Sequence, residues 1–173
     1  MNRLVHTLAA LSIAALVAIA AAVPAAAGTA IERAFSGSVT GIGVVAPDGG
    51  CPIGLRTLGW GTGRATHLGL TTMSADHCTP NPPFGPAPGP MEGGSITFVA
   101  ANGDIVRGTY TGTVAPLAPV EGAEIGGQMH VTVTGGTGRF AGATGHVEMT
   151  LAGVLHFSSP MTAGWTWEGV LTY

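Results

Sequence analysis

The sequence predicts an all-β protein, an eight-stranded antiparallel β-barrel behind an N-terminal leader. Three observations carry this. Beyond the leader there is almost no helical periodicity; apolar and polar residues alternate in segments rich in glycine, threonine and valine; and these segments recur at even spacing between turn signals. The strands fall at about 33–43, 54–62, 64–74, 94–101, 104–114, 127–135, 143–155 and 162–172. An even meander of this kind leaves two unpaired edges unless it closes on itself, and closure into a barrel removes both.

The leader is residues 1–27. MNRLVHTLAALSIAALVAIAAAVPAAAGTA has a positive start at Arg3, an apolar run from Leu8 to Val23 and a small-residue site at Ala25, Ala26 and Ala27. That is the layout of a secretory signal peptide cleaved after Ala27. The competing reading is an uncleaved anchor, which the run is long enough to form; its alanine richness and the AAAG site weigh against it. Residues 28–173 then form one exported domain, periplasmic or extracellular, with no membrane association after cleavage.

Each pairing has a local signal. Asn102-Gly103 joins SITFVAA to DIVRGTYTGTV and marks a tight hairpin, because both central positions tolerate positive φ. In MHVTVT and GHVEMTL, Met129, Val131, Val133, Val147, Met149 and Leu151 fall on one face and His130, Thr132, Thr134, His146, Glu148 and Thr150 on the other. The closing strand, WTWEGVLTY, places Trp165, Trp167, Gly169, Leu171 and Tyr173 together, so its aromatic side faces a core or cavity. Between the third and fourth strands, residues 79–92 carry six prolines from Pro80 to Pro90. Proline has no N–H for a sheet ladder, so the segment reads as a loop with polyproline character. It is either a surface connector or a flap over one barrel end with Phe84 at its tip. Cys51 and Cys78, the only two cysteines, form a disulfide in an oxidising compartment. The competing reading, a metal site with His77 beside Cys78, meets cysteines too far apart for the usual spacing of zinc thiolates.

Residues 135–145, GGTGRFAGATG, hold five glycines in eleven positions. A phosphate-cradling loop needs a helix N-terminus and a nearby lysine. Here a strand follows Gly145 and the chain contains no lysine. The glycines therefore serve chain reversal, with Arg139 at the tip and Phe140 as an apolar plug. The same poverty of positive charge argues against a nucleic-acid partner, which would require a basic stripe.

VTVTGGTGRFAGATGHVEMTL resembles the hairpin shared by allene oxide cyclases and plant dirigent proteins, where a glycine-rich turn joins two long strands of an eight-stranded barrel. NGDIVRGTYTG and WEGVLTY fall where that pattern has neighbouring strands, so the likeness covers roughly residue 95 to the C-terminus. Small exported bacterial proteins of unknown role with GRATHLG-like and GGTGRFAGATG-like segments look most similar. The resemblance implies an apolar interior able to hold a small lipophilic ligand. It transfers no active site, because the functional residues of those families lie in the N-terminal half, where no position matches.

Candidate site residues follow from the strand faces. Trp165 and Trp167 are candidates for ligand contact on the aromatic side of the closing strand. Arg107 is one if its face looks inward, where a buried cation would need an acidic partner or an anionic ligand; if that face looks outward, Arg107 is a solvated charge and Tyr110, on the opposite face, points inside as the candidate. One register sets His130 opposite His146 with Glu148 a pleat step further on, a possible zinc or copper constellation against the simpler reading of a solvated face. His67 reads as mid-strand. His77 has Asp76 and Glu92 near in sequence, but nothing in the sequence makes them converge as a general base and its partner. Ser36, Ser38, Ser74, Ser95, Ser158 and Ser159 lie in no nucleophile motif. Catalytic residues thus stay unassigned, and no metal or cofactor is assigned. The expected function is a non-enzymatic binding or structural module; the alternative is a cyclase-like or dirigent-like enzyme that steers a reactive hydrophobic molecule. The sequence does not set the oligomeric state.

Overall fold

The computed structural model describes residues 30–46, 50–52, 54–80 and 85–173, and shows a closed barrel of eight strands, each antiparallel to the next. The strands are β1 (Glu32–Ala46), β2 (Gly54–Ala65), β3 (Gly69–Pro80), β4 (Gly89–Ala100), β5 (Ile105–Val114), β6 (Glu124–Gly136), β7 (Thr144–Val154) and β8 (Met161–Thr172). β1 closes the ring against β8, from Glu32 opposite Thr172 to Gly43 opposite Met161. Residues 1–27, expected to be a signal peptide, and Phe84 lie outside the described residues.

Alternation decides which side is wet. Val131 and Val133 of β6 and Val147 and Met149 of β7 are buried, while Thr132, Thr134, His146 and Glu148 between them are exposed. This is the reverse of a lipid-embedded barrel, whose apolar band faces outward. Inside, large residues are matched to missing side chains. Trp165 lies over Gly59, where an added Cβ would come within 3.0 Å of its ring, and Trp167 lies over Gly37, where the clearance would be 2.4 Å. The strand glycines of β1 and β2 thus make room for two indoles in a narrow cylinder.

The two ends differ. At one, the connections are tight: residues 66–68, the Asn102-Gly103 turn, and the GGTGRFAGATG reversal, which contains a single 3-10 turn, Gly138–Phe140. Phe140 is fully buried, packs edge-on against Tyr173 at 4.9 Å, and carries the Arg139 guanidinium 4.8 Å above its ring. Arg139 also donates to the His67 carbonyl and lies 3.6 Å from Asp104, so one side chain ties three turns together. Gly138 has φ +57°, and a Cβ there would strike the Asp104 carboxylate. The motif is therefore a chain reversal that plugs the barrel, as its sequence indicated. Below it Phe35, Phe98 and Trp167 cluster with ring centroids 4.9–6.0 Å apart.

Three sequence-based expectations are corrected. His67 is not mid-strand: it occupies the β2–β3 turn with φ +65°, where its Nε2 bonds the Ala34 carbonyl at 3.0 Å. β3 consequently starts and ends later than expected. The span expected as one proline-rich loop, 79–92, is entered from both sides, β3 running to Pro80 and β4 starting at Gly89. Pro90 is accommodated beside an irregularity in the β4–β5 ladder between Met91 and Gly94, the setting in which a sheet tolerates a residue without an N–H. Finally, the β6–β7 register differs by two residues: His130 opposes Glu148, and His146 opposes Thr132.

Candidate functional site

Among the described residues, the end opposite the plug is not closed. There the core gives way to a cavity of about 700 Å³ walled by Val45, Leu55, Leu117, Ile125, Leu155 and Phe157, among others. Leu117, Ile125 and Leu155 form an apolar cluster of their own at this end, separate from the main core. Below lies a void of about 40 Å³ bordered by Ala75, Tyr110, Met129 and Trp165, and His77 borders both spaces.

The walls are built by alternation and the rim by side-chain staples. Successive inward positions of β3 are Thr71, Met73, Ala75, His77 and Thr79, all buried, so the strand carries an apolar surface up to His77 and turns polar where the cavity begins. Cys78 points the other way and is bridged to Cys51, Cα to Cα 5.4 Å, tying the β1–β2 connection to the end of β3. The bridge consumes both thiols and removes the alternative of a metal bound by Cys78 and His77. On the outer wall nearby, Arg56 Nε donates to Asp76 at 3.0 Å. Across the mouth, Glu121 accepts from His156 Nδ1 at 2.9 Å and from the Phe157 amide at 2.7 Å. Those bonds hold the β7–β8 connection against the β5–β6 connection and lower the Glu121 pKa, the His156 bond being the largest cause.

At the floor, His77 Nδ1 and the Tyr110 hydroxyl are 2.7 Å apart. Gly94 makes this possible, because a Cβ at that position would lie 2.6 Å from the Tyr110 ring. Burial pushes the His77 pKa down to about 4, against a smaller opposing effect of the Asp76 charge, so the imidazole is neutral at physiological pH. Tyr110 is raised well above the ordinary phenol value, first by burial and then by Asp76, with the Asp76 backbone amide opposing. Both groups are thus uncharged. The Thr57 and Thr79 hydroxyls, 3.3 Å apart, border the same cavity.

Of the residues singled out by sequence, Tyr110 and Trp165 lie at the floor. Trp167 does not border the cavity: it belongs to the closed half, packed on Phe35 and Phe98, with its Nε1 buried and without a partner among the described residues. Arg107 is exposed on the outer wall, its neighbours Val106 and Gly108 taking the inward positions. The register weighed for a metal constellation gives way to an exposed pair, His130 Nδ1 to Glu148 at 2.6 Å, and among the described residues no group of three His, Cys, Asp or Glu side chains is placed to hold a metal. The residue that sequence reading left unassigned is His77. Its signal was the period of two from Met73 and Ala75, which points His77 inward once β3 is allowed to continue past Ser74.

No family model, no curated protein and no solved structure matches this chain.

Proposed function

We propose that this protein is a non-enzymatic binding module that holds a small lipophilic molecule in the open end of its barrel. The observation that carries this is the cavity itself. At about 700 Å³ it falls within the usual range for ligand pockets, and it has their usual make-up: apolar walls and a few convergent polar groups. The likeness of the GGTGRFAGATG hairpin to allene oxide cyclases and dirigent proteins supports the same reading, since those barrels accommodate hydrophobic small molecules. The Cys51–Cys78 bridge is compatible with an exported protein in an oxidising compartment.

A cyclase-like or dirigent-like enzyme is the second reading, and the His77–Tyr110 pair favours it by placing two proton-bearing groups where a reacting molecule would rest. Native mass spectrometry of protein purified from its own host tests the first reading, together with titration of N-phenylnaphthylamine fluorescence. A retained organic molecule, or saturable probe binding that Leu155→Trp blocks, is expected. Absence of both overturns the proposal. Chemical conversion of the retained molecule on incubation would move the assignment to the enzyme.

A further inference from the structure

We infer that the cavity selects ligands whose inner end is an uncharged hydrogen-bond acceptor, an alcohol, ketone or ester oxygen, and rejects carboxylates of the same length. The inference deepens the binding-module reading and rests on it.

The polar floor can be read atom by atom. His77 makes one hydrogen bond among the described residues, through Nδ1 to Tyr110. A phenol is the better donor and a neutral imidazole nitrogen the better acceptor, so Tyr110 gives its proton to Nδ1. Nδ1 is then the acceptor, and Nε2 must carry the imidazole hydrogen. The His77 ring borders both the cavity and the void beneath. A single N–H donor thus stands at the base of an apolar cup and calls for one acceptor.

Charge decides what kind of acceptor. The chain has no lysine. Arg33, Arg64, Arg107 and Arg139 are exposed, Arg56 is committed to Asp76 on the outer wall, and none of them borders the cavity. Asp76 and Arg56 neutralise each other on the outer wall, and His156 at the mouth is engaged by Glu121. A carboxylate entering head first would lose water and meet no cation, or would have to take up a proton at a cost at neutral pH. An uncharged oxygen escapes both penalties and still satisfies His77. The Thr57 and Thr79 hydroxyls, also neutral, can accept from an alcohol.

The test is calorimetric titration of the full-length folded protein at neutral pH with three probes of equal chain length: n-decanol, methyl octyl ketone and decanoate. The alcohol and the ketone are expected to bind at least about tenfold more tightly than decanoate. His77→Phe should remove that preference by weakening the first two while leaving decanoate unchanged or improved. Tyr110→Phe supplies a readout that a packing role would not move. With the tautomer no longer fixed, the ketone, which only accepts, should lose more affinity than the alcohol, which also donates. Decanoate binding as tightly as the alcohol in the wild-type protein overturns this inference and leaves the binding module standing. Failure of all three probes overturns the binding module as well.

Discussion

The two ends of this barrel are made from the same eight strands and have opposite constructions. At the closed end, turns of a few residues bring Leu68 and Phe140 into the core beside Phe35 of β1, and Arg139 bonds the turns to one another. At the open end the connections are longer, a disulfide and the Glu121 bonds brace the rim, and the axis is occupied by a cavity. On the proposed binding function, stability and binding fall to different ends of one cylinder. The close-packed half can hold the strands in register because dispersion contacts there are complete, and the open half can leave its walls half-contacted because the register is already set.

That division sets an order of expected effects. Phe98→Ala, which removes a ring from the Phe35–Trp167 cluster, should cost about 3–5 kcal/mol by denaturant melting; a loss under about 1 kcal/mol would show that the closed half is not the stabilising one. Next comes the brace of the open end. Replacing both Cys51 and Cys78 by serine opens a loop with sequence separation 27 and should cost about 3 kcal/mol. Unlike Phe98→Ala, it should also weaken probe binding in protein that remains folded, as read by the same fluorescence titration.

Acid should act on the open end through His77. Its folded pKa of about 4 lies below the ordinary 6.5, so between those values the unfolded chain binds a proton that the folded chain refuses. This contribution is undiminished above pH 6.5, declines as pH falls through the interval, and levels off below the folded value, a total of about 3 kcal/mol. His77→Phe should flatten the stability profile across that window relative to the wild type, and an unchanged slope would refute the assignment. Smaller still is Leu155→Ala on the cavity wall, expected at about 1–2 kcal/mol because one side of that residue already lacks packed neighbours. Phe157→Ser, 59% exposed at the mouth, should stay within about 0.5 kcal/mol while lowering probe affinity. A large destabilisation by Phe157→Ser would erase the contrast between the two ends.

The closed end was the more legible in the sequence, and the reason is physical. Asn102-Gly103 and GGTGRFAGATG are turns whose backbone demands are met by glycine, so the chain reversal itself is written in residue type. The open end depends on long connections and on where strands stop, which residue type encodes weakly. β3 was expected to end at Ser74, and that shortfall alone hid the inward placement of His77 and Thr79. The proline run made residues 79–92 look wholly irregular, although an interrupted ladder accepts Pro90. The His130–His146 pairing failed for a different reason: both registers keep the apolar faces together, so alternation does not choose between them. Among the candidate ligand contacts, alternation placed Tyr110 and Trp165 inside. It gave no depth along the barrel axis, so Trp167 was grouped with them although it lies in the closed half.

Ile31 and Tyr173 exchange backbone hydrogen bonds of 3.3 and 3.4 Å where β1 meets β8 at the plugged end. An affinity handle or surface linkage joined immediately ahead of Ile31 or immediately after Tyr173 therefore departs from the base of the cylinder. Immobilised that way, the protein would present its mouth to the surrounding solution.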